Sequence, residues 1–419
     1  MVVRQEKMDY FLFLIGFFIT ATANSITISN VTVVFAALLT MYVFIERGYE
    51  IDKAFIYFVI AYMGINAIYL IKFGYVDLRA FRELFRFAHA YFLIKIIWKK
   101  YIPYFTKTVY VLSFISIPLY FLQLYDYDMM KSIIGVVDHN IPFLDYRGDW
   151  YENLMIFTLN DEGMFRNSGF AWEPKGFGTF LTLAMFFRLI ENRFRLIDKY
   201  MLIYFIAMIT TFSTATLSVV FFAVFPFYIF NKPASYRIIS AIVIVPIMAI
   251  AFTKADFLEK KIMHEYNNRY KWVKFVQEKD SDEKDQSLGR FGSLIIDMMD
   301  LQKEPILGYG NQKFERTQFS AGGVRLTHVN GLSDFMAHYG VVGTLFLLIT
   351  LSITFKQWSI IYEFKAWYWI VIGILATSFA STILFYPIYL MFMFFPFFKK
   401  GDEPAKLSFD YDNRMIRWN

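Results

Sequence analysis

The sequence predicts an all-α polytopic membrane protein, a single transmembrane domain over residues 1–400 with about twelve helical spans and two large helical outer loops. Three observations predict it. Of the 419 residues, 57% are hydrophobic and 21% aromatic, more apolar surface than a soluble domain of that length could bury. The apolar residues fall in runs near the length of a bilayer-crossing helix, about 20 residues. Lys and Arg collect in every second turn between those runs, the pattern that orients helical membrane proteins.

Spans one and two cover about Asp9–Thr22 and Val31–Ile45, joined by uncharged Ala23–Asn30. A turn with Arg47 and Lys53 leads to span three, about Ala54–Ile71. Span four, about Leu78–Trp98, and span five, about Thr108–Leu124, are separated by a turn carrying Lys99, Lys100 and Lys107. The first long loop, 125–174, leads to span six, about Lys175–Ile190, and a turn with Arg193, Arg195 and Lys199. Spans seven and eight, about Tyr200–Phe212 and Leu217–Phe230, meet at Ser213-Thr214-Ala215-Thr216. Lys232 and Arg237 precede span nine, about Ile238–Phe252, and the second long loop, 253–331. Span ten covers about Leu332–Phe355. Lys356 and Lys365 precede spans eleven and twelve, about Trp367–Leu384 and Pro387–Phe398. The positive-inside rule puts both termini and the cationic turns in the cytoplasm, with 401–419 as a cytoplasmic tail, and both long loops on the outer side. The first residues lead straight into a span without a small-residue cleavage site, so they read as an anchor.

The net charge of +6 reads as this topology and not as nucleic-acid binding. The chain has no cysteine, which excludes disulfides, thiolate catalysis and cysteine metal sites. A loop as long as 253–331 needs structure of its own. Phe291, Leu294, Ile295, Met298 and Leu301 recur at helical spacing, predicting a helix over Arg290–Gln302. Asp256–Lys279 is also helical in pattern and suits an interfacial helix or a cover over a membrane groove.

The chain is organised around Ser287–Leu347. There a helix is broken by Pro305-Ile306-Leu307-Gly308-Tyr309-Gly310, a polar segment carries Arg316, Arg325, His328 and Asn330, and an apolar helix opens with Asp334 and holds Gly340 and Gly343. In span four, Arg79, Arg82, Arg86 and His89 recur three or four apart and share one helical face. Charges at that depth cost roughly 2.5–3.5 kcal/mol each by insertion scales, so they face protein or water. They form either structural pairs, such as Arg82 with Glu83, or an anion slot suited to phosphate. Arg166 is a loop anchor or a ligand contact. Glu173 and Pro174 suit a helix start. His328 has the pKa range of a general base but could be merely polar; His338 reads as buried. Asp126-Tyr127-Asp128 and Asp280-Ser281-Asp282 have Asp-x-Asp metal spacing without the surrounding pattern such a site needs.

Arg166-Asn167-Ser168-Gly169-Phe170 with Glu173-Pro174 resembles the outer-loop motif of bacterial O-antigen polymerases and ligases. So does Arg290, then a helix, then Pro305–Gly310, and so does His328-Val329-Asn330 followed by Gly340–Gly343. The resemblance covers mainly Arg166–Leu347. Two departures are plain: Val329 separates His328 from Asn330, and the turn 211–216 has no basic residue. The resemblance implies a GT-C-like membrane glycosyltransferase of the bacterial inner membrane, without metal or other cofactor. It would act on undecaprenyl-pyrophosphate-linked oligosaccharide among membrane lipid, with a chain-length regulator as a further partner and no nucleic acid. Arg166, Arg290 and Arg325 would cradle pyrophosphate, with Arg82 and Arg86 as a deeper group. His328 would be the base, Asn330 would orient sugar or base, Glu173 would be a reserve base, and Lys175 would join the substrate contacts. The altered His-Asn pair and the arginine face favour polymerase over ligase. A transporter is the alternative of another class, although long loops after spans five and nine break the symmetry usual there.

Overall fold

The computed structural model describes residues 2–22, 25–75, 77–140, 151–160, 165–238, 285–287, 289–317, 325–327 and 329–398, with isolated positions and short pieces elsewhere. The chain is mostly helical. Its helices are α1 (Val2–Ala21), α2 (Asn30–Glu46), α3 (Lys53–Phe73), α4 (Arg79–Tyr125) and α5 (Tyr127–Asn140), then α6 (Pro174–Glu191), α7 (Lys199–Thr210) and α8 (Thr214–Phe230). Beyond the second loop come α9 (Arg290–Lys303), α10 (Gly331–Ile361), α11 (Tyr368–Ala380) and α12 (Pro387–Phe394). Among the described residues, α3, α4 and α10 are long and apolar enough to cross a membrane. Helices α2, α7, α8, α11 and the α12 region are shorter and also apolar. The expected span nine and the helix Asp256–Lys279 lie outside the described residues.

Helix α12 is the centre of the packing: all its residues are buried, as a helix apolar on every side must be. Phe392 meets Tyr101 at 5.5 Å and Trp358 at 5.8 Å, and Trp358 meets Phe187 at 6.0 Å. These aromatic contacts tie α4, α6 and α10 to α12.

The turn expected between spans four and five is helical. Arg79–Tyr125 is one helical run of 47 residues, which would be about 70 Å long if straight, twice the bilayer core. It is bent. Glu6 accepts from Lys100 and, through its carbonyl, from Tyr104. Further along α1, Tyr10 bonds Thr108, whereas Gly16 lies against His89 and Leu93. So the chain rises along α1 from Lys100 back to His89, and rises again from Tyr104 to Thr108. Pro103, which interrupts the helical hydrogen bonds, marks the bend. Lys99, Lys100 and Lys107, expected in a turn, are helical.

Helix α10 begins one residue before the expected span ten and is broken inside. Gly340 takes φ +63°, a left-handed value that favours glycine. The break leaves helical donors and acceptors open, and Pro305–Gly310 fills them. Tyr309 and Gly310 N–H donate to the carbonyls of Ala337 (3.1 Å) and His338 (2.7 Å). Val341 and Val342 N–H donate to Pro305 (2.8 Å) and Ile306 (3.1 Å). Backbone groups left unmatched there would cost about 1–3 kcal/mol each. The two glycine-rich stretches of the sequence are therefore halves of one main-chain interlock.

The loops carry local structure of their own. After α5, strands β1 (Tyr151–Asn153) and β2 (Thr158–Asn160) pair antiparallel. Farther on, β3 (Asp285–Ser287) pairs parallel with β4 (Arg325–Thr327), so the backbone at Arg325 is stitched to the entrance of α9. Asp126 accepts from Met129 N–H at 2.9 Å; it caps α5, which accounts for the first Asp-x-Asp pair. The second pair lies outside the described residues.

Candidate functional site

The arginine face of α4 divides by partner. Arg79 forks onto Asp77 and lies over Phe314 at 5.8 Å. Arg86 reaches Glu83 at 3.3 Å, and the other oxygen of Glu83 takes the Tyr339 hydroxyl at 2.9 Å. Glu83 is thus the partner of Arg86 and not of Arg82. Arg82 makes one long bond, 3.4 Å, to the Asn30 side chain. The Nε of Arg82 and the Nε of Arg86 are both buried without a hydrogen-bond partner. His89 turns away from this row: its Nδ1 faces Thr40 and the Ala36 carbonyl, each at 3.2 Å.

Arg86 stacks over Tyr386 at 5.5 Å, and Tyr386 faces Trp172 at 6.0 Å. Tyr386 stands where the backbone turns extended before Pro387 starts α12. The Trp172 indole lies on Gly176, where an added Cβ would come within 3.1 Å of the ring. Its N–H donates to Glu173 at 2.8 Å, and Lys175 pairs with the other Glu173 oxygen at 3.2 Å. These contacts form at the first turn of α6, where Pro174 fits because its missing N–H has no helical acceptor.

Arg166 donates from Nε to the Thr211 carbonyl at 3.0 Å. Next to it, Asn167 holds the end of α7 through backbone and side chain, each 2.9 Å, to Thr210. The turn 210–211 is therefore the seat of the Arg166-Asn167 motif. Burial, partly offset by Glu173 and reinforced by the like charge of Arg290, holds the Arg166 guanidinium below the usual arginine range. Arg290 stands at the first turn of α9.

Asn330 is a clasp. Its side-chain oxygen Oδ1 caps α10 by accepting from Ser333 N–H at 3.2 Å, and its side-chain Nδ2 donates to the Arg290 carbonyl at 3.4 Å. Val329 N–H donates to Ser293 at 3.1 Å. His328 lies outside the described residues, but both neighbours are fixed: Thr327 pairs in register with Ser287, and Val329 is held on α9. Arg325 is placed by its backbone alone, opposite Asp285.

The structure brings together Arg82 and Arg86 on one face of α4, and Glu173 with Lys175; Arg166 is seated on Thr211 and Arg290 on Asn330. It also adds residues the sequence left unassigned. Trp172 and Tyr386 link the first group to the second. Arg316, 1% exposed, binds Asp334 at 2.6 Å, Asp297 at 2.8 Å and Asp300 at 3.3 Å, fastening α9 to α10. Burial works against this guanidinium, and Asp334, Asp297 and Asp300 outweigh it and raise its pKa. Two aspartates three apart on an amphipathic helix were the legible signal.

No protein-family model matches this chain, and no curated protein or solved structure matches it either.

Proposed function

We propose that the chain is a membrane polysaccharide polymerase of the O-antigen or capsule type. In this reading about twelve spans form a GT-C-like bundle in the bacterial inner membrane. Both termini are cytoplasmic, and the arginine cluster lies at the outer face. The enzyme moves a growing glycan from undecaprenyl pyrophosphate to a sugar hydroxyl of another lipid-linked repeat unit. One observation carries the reading: Arg82 and Arg86, on one face of α4, reach through Tyr386 and Trp172 to the Glu173–Lys175 pair at the start of α6, and Arg290 acts as a like charge on Arg166. Like charges held together by a fold suit an anion that neutralises them.

The chemistry follows from that arrangement. The bond between the anomeric carbon and the diphosphate oxygen breaks, and the electron pair leaves with the diphosphate. Arg166, Arg290 and Arg325 stabilise the charge that develops there, and preorganised donors do this without reorganisation cost. The acceptor hydroxyl forms the new bond and gives its proton to His328. Glu173 already accepts from Trp172 and Lys175; it orients the cationic side and leaves the base role to His328. Asn330 fixes Arg290 relative to α10.

A broken helix such as α10 is also the mark of many transporters. Here the freed groups are taken by Pro305–Gly310, which leaves them unavailable to a transported ion. The polymerase reading is tested in cells lacking the protein, supplied with Arg166→Ala, Arg290→Ala or His328→Ala at matched membrane abundance. Polysaccharide ladders should shorten in each. Wild-type ladders from all three would contradict the site. In the null strain, a single repeat still attached to its anchor supports a polymerase, and complete loss of attached glycan supports a ligase of the same superfamily.

A further inference from the structure

A polymerase of this kind handles two lipid diphosphates at once, one leaving the donor and one retained by the acceptor. The cations of the site also fall into two groups. The charges acting on Arg166 are Glu173 and Arg290. Arg79, Arg82 and Arg86 follow one another three and four residues apart along α4. Tyr386 and Trp172 connect the groups, with Arg86 against one ring and Glu173 bonded to the other.

The second group is incompletely satisfied by protein. Arg79 is taken by Asp77, and Glu83 is shared by Arg86 and Tyr339. Arg82 has no carboxylate within ion-pair distance among the described residues, and a buried Nε on each of Arg82 and Arg86 lacks a hydrogen-bond partner. Buried guanidinium N–H groups without acceptors are costly unless a ligand supplies the acceptors. The flanking surface is apolar and open: Val31 is 76% exposed, Phe35 59%, Leu78 80% and Phe81 49%. An anion that meets both surfaces carries a hydrocarbon tail.

We infer that Arg82 and Arg86 form a second subsite for a lipid-borne phosphate or diphosphate, the retained diphosphate of the acceptor. It is distinct from the Arg166–Arg290 cradle of the departing group. The inference rests on the polymerase reading. The subsite holds its anion without cleaving it, because its one carboxylate, Glu83, is already bound on both oxygens. Trp172 and Tyr386, between the two anions, are where the sugars to be joined would lie, with apolar ring faces toward the aromatic side chains.

The test uses the full chain in phosphatidylcholine nanodiscs, titrated calorimetrically with farnesyl diphosphate. Wild type should take up two equivalents. The pair R82Q/R86Q should take up one, and R166Q/R290Q should take up one. The single variant Arg82→Gln, which removes only a long bond to Asn30, guards against misfolding and should weaken one site by about tenfold or more. Wild-type stoichiometry in R82Q/R86Q overturns the second subsite. A single site in wild type, lost in R166Q/R290Q, overturns it while leaving the polymerase reading intact. Two sites of which R166Q/R290Q removes neither overturns that reading, and with it the acceptor role. Phosphatidylglycerol in the nanodisc should leave both sites available, and inorganic pyrophosphate should bind the Arg82–Arg86 site at least tenfold more weakly. If phosphatidylglycerol instead blocks that site, its occupant is an ordinary headgroup and the acceptor assignment fails.

Discussion

Arg316 shows how a buried charge can fasten one helix to another. Its fork reaches carboxylates on two helices, while Thr317 donates to Asp300 and Ser333 donates to Asp297. The attraction offsets desolvation only because the remaining oxygens are also bonded. Arg316→Ala leaves three carboxylates crowded without their cation and should cost about 3–5 kcal/mol. Arg316→Lys keeps the charge and loses the fork, so it should fall between. Thermal unfolding of the detergent-solubilised protein checks both, and an unchanged midpoint in Arg316→Ala would remove the proposed fastening of α9 to α10. Composition and spacing drew attention to Arg316, but its three partners come from α9 and α10, and no local pattern pairs them. Arg82 and Arg86 were legible as a helical row, whereas their unequal pairing was not, because Glu83 faces the one that Tyr386 also holds.

At the scale of elements, the interlock between Pro305–Gly310 and Gly340 governs α10. A Cβ on Gly340 would come within 2.3 Å of the Ile306 carbonyl oxygen, and one on Gly308 within 2.6 Å of the Ala337 carbonyl oxygen. Both residues have positive φ. Gly340→Ala or Gly308→Ala should therefore destabilise by at least about 1–3 kcal/mol from backbone strain, before the clash is counted. Gly64, inside α3, has nothing within 4 Å of a built Cβ, and Gly64→Ala should be neutral or stabilising by up to about 1 kcal/mol. Comparing the unfolding midpoints of these variants checks the interlock; equal midpoints in all would contradict it. Helix α9 was legible from its apolar period, and its observed end is one residue beyond the expected one. The interlock was not, because helix-breaking glycines announce a break without saying what fills it. The bend near Pro103 falls where the turn was expected, but its backbone is helical. Lys99, Lys100 and Lys107 look like a turn, yet the backbone stays helical, with Pro103 at the bend.

For the whole molecule, the apolar runs of the sequence correspond among the described residues to helices, three of them long and apolar enough to cross a membrane. What joins the loops into a site was not legible in those runs. Trp172 and Tyr386 are ordinary aromatics in a chain rich in them, and only the tertiary fold sets one against the other. The seat of Arg166 on Thr211 has the same origin: the turn 211–216 has no basic residue and offers Arg166 a backbone carbonyl.

The central claim is that fixed guanidinium groups from separate loops stabilise a departing lipid diphosphate. Its most direct measure is the purified protein in proteoliposomes, given a purified undecaprenyl-pyrophosphate-linked repeat unit, with released lipid pyrophosphate and polymer quantified together. Wild type should release one lipid pyrophosphate for each new glycosidic bond, and R166Q/R290Q should reduce both products at least about a hundredfold, the effect expected when transition-state donors are lost. Polymer and lipid pyrophosphate at wild-type rates from R166Q/R290Q would contradict the account.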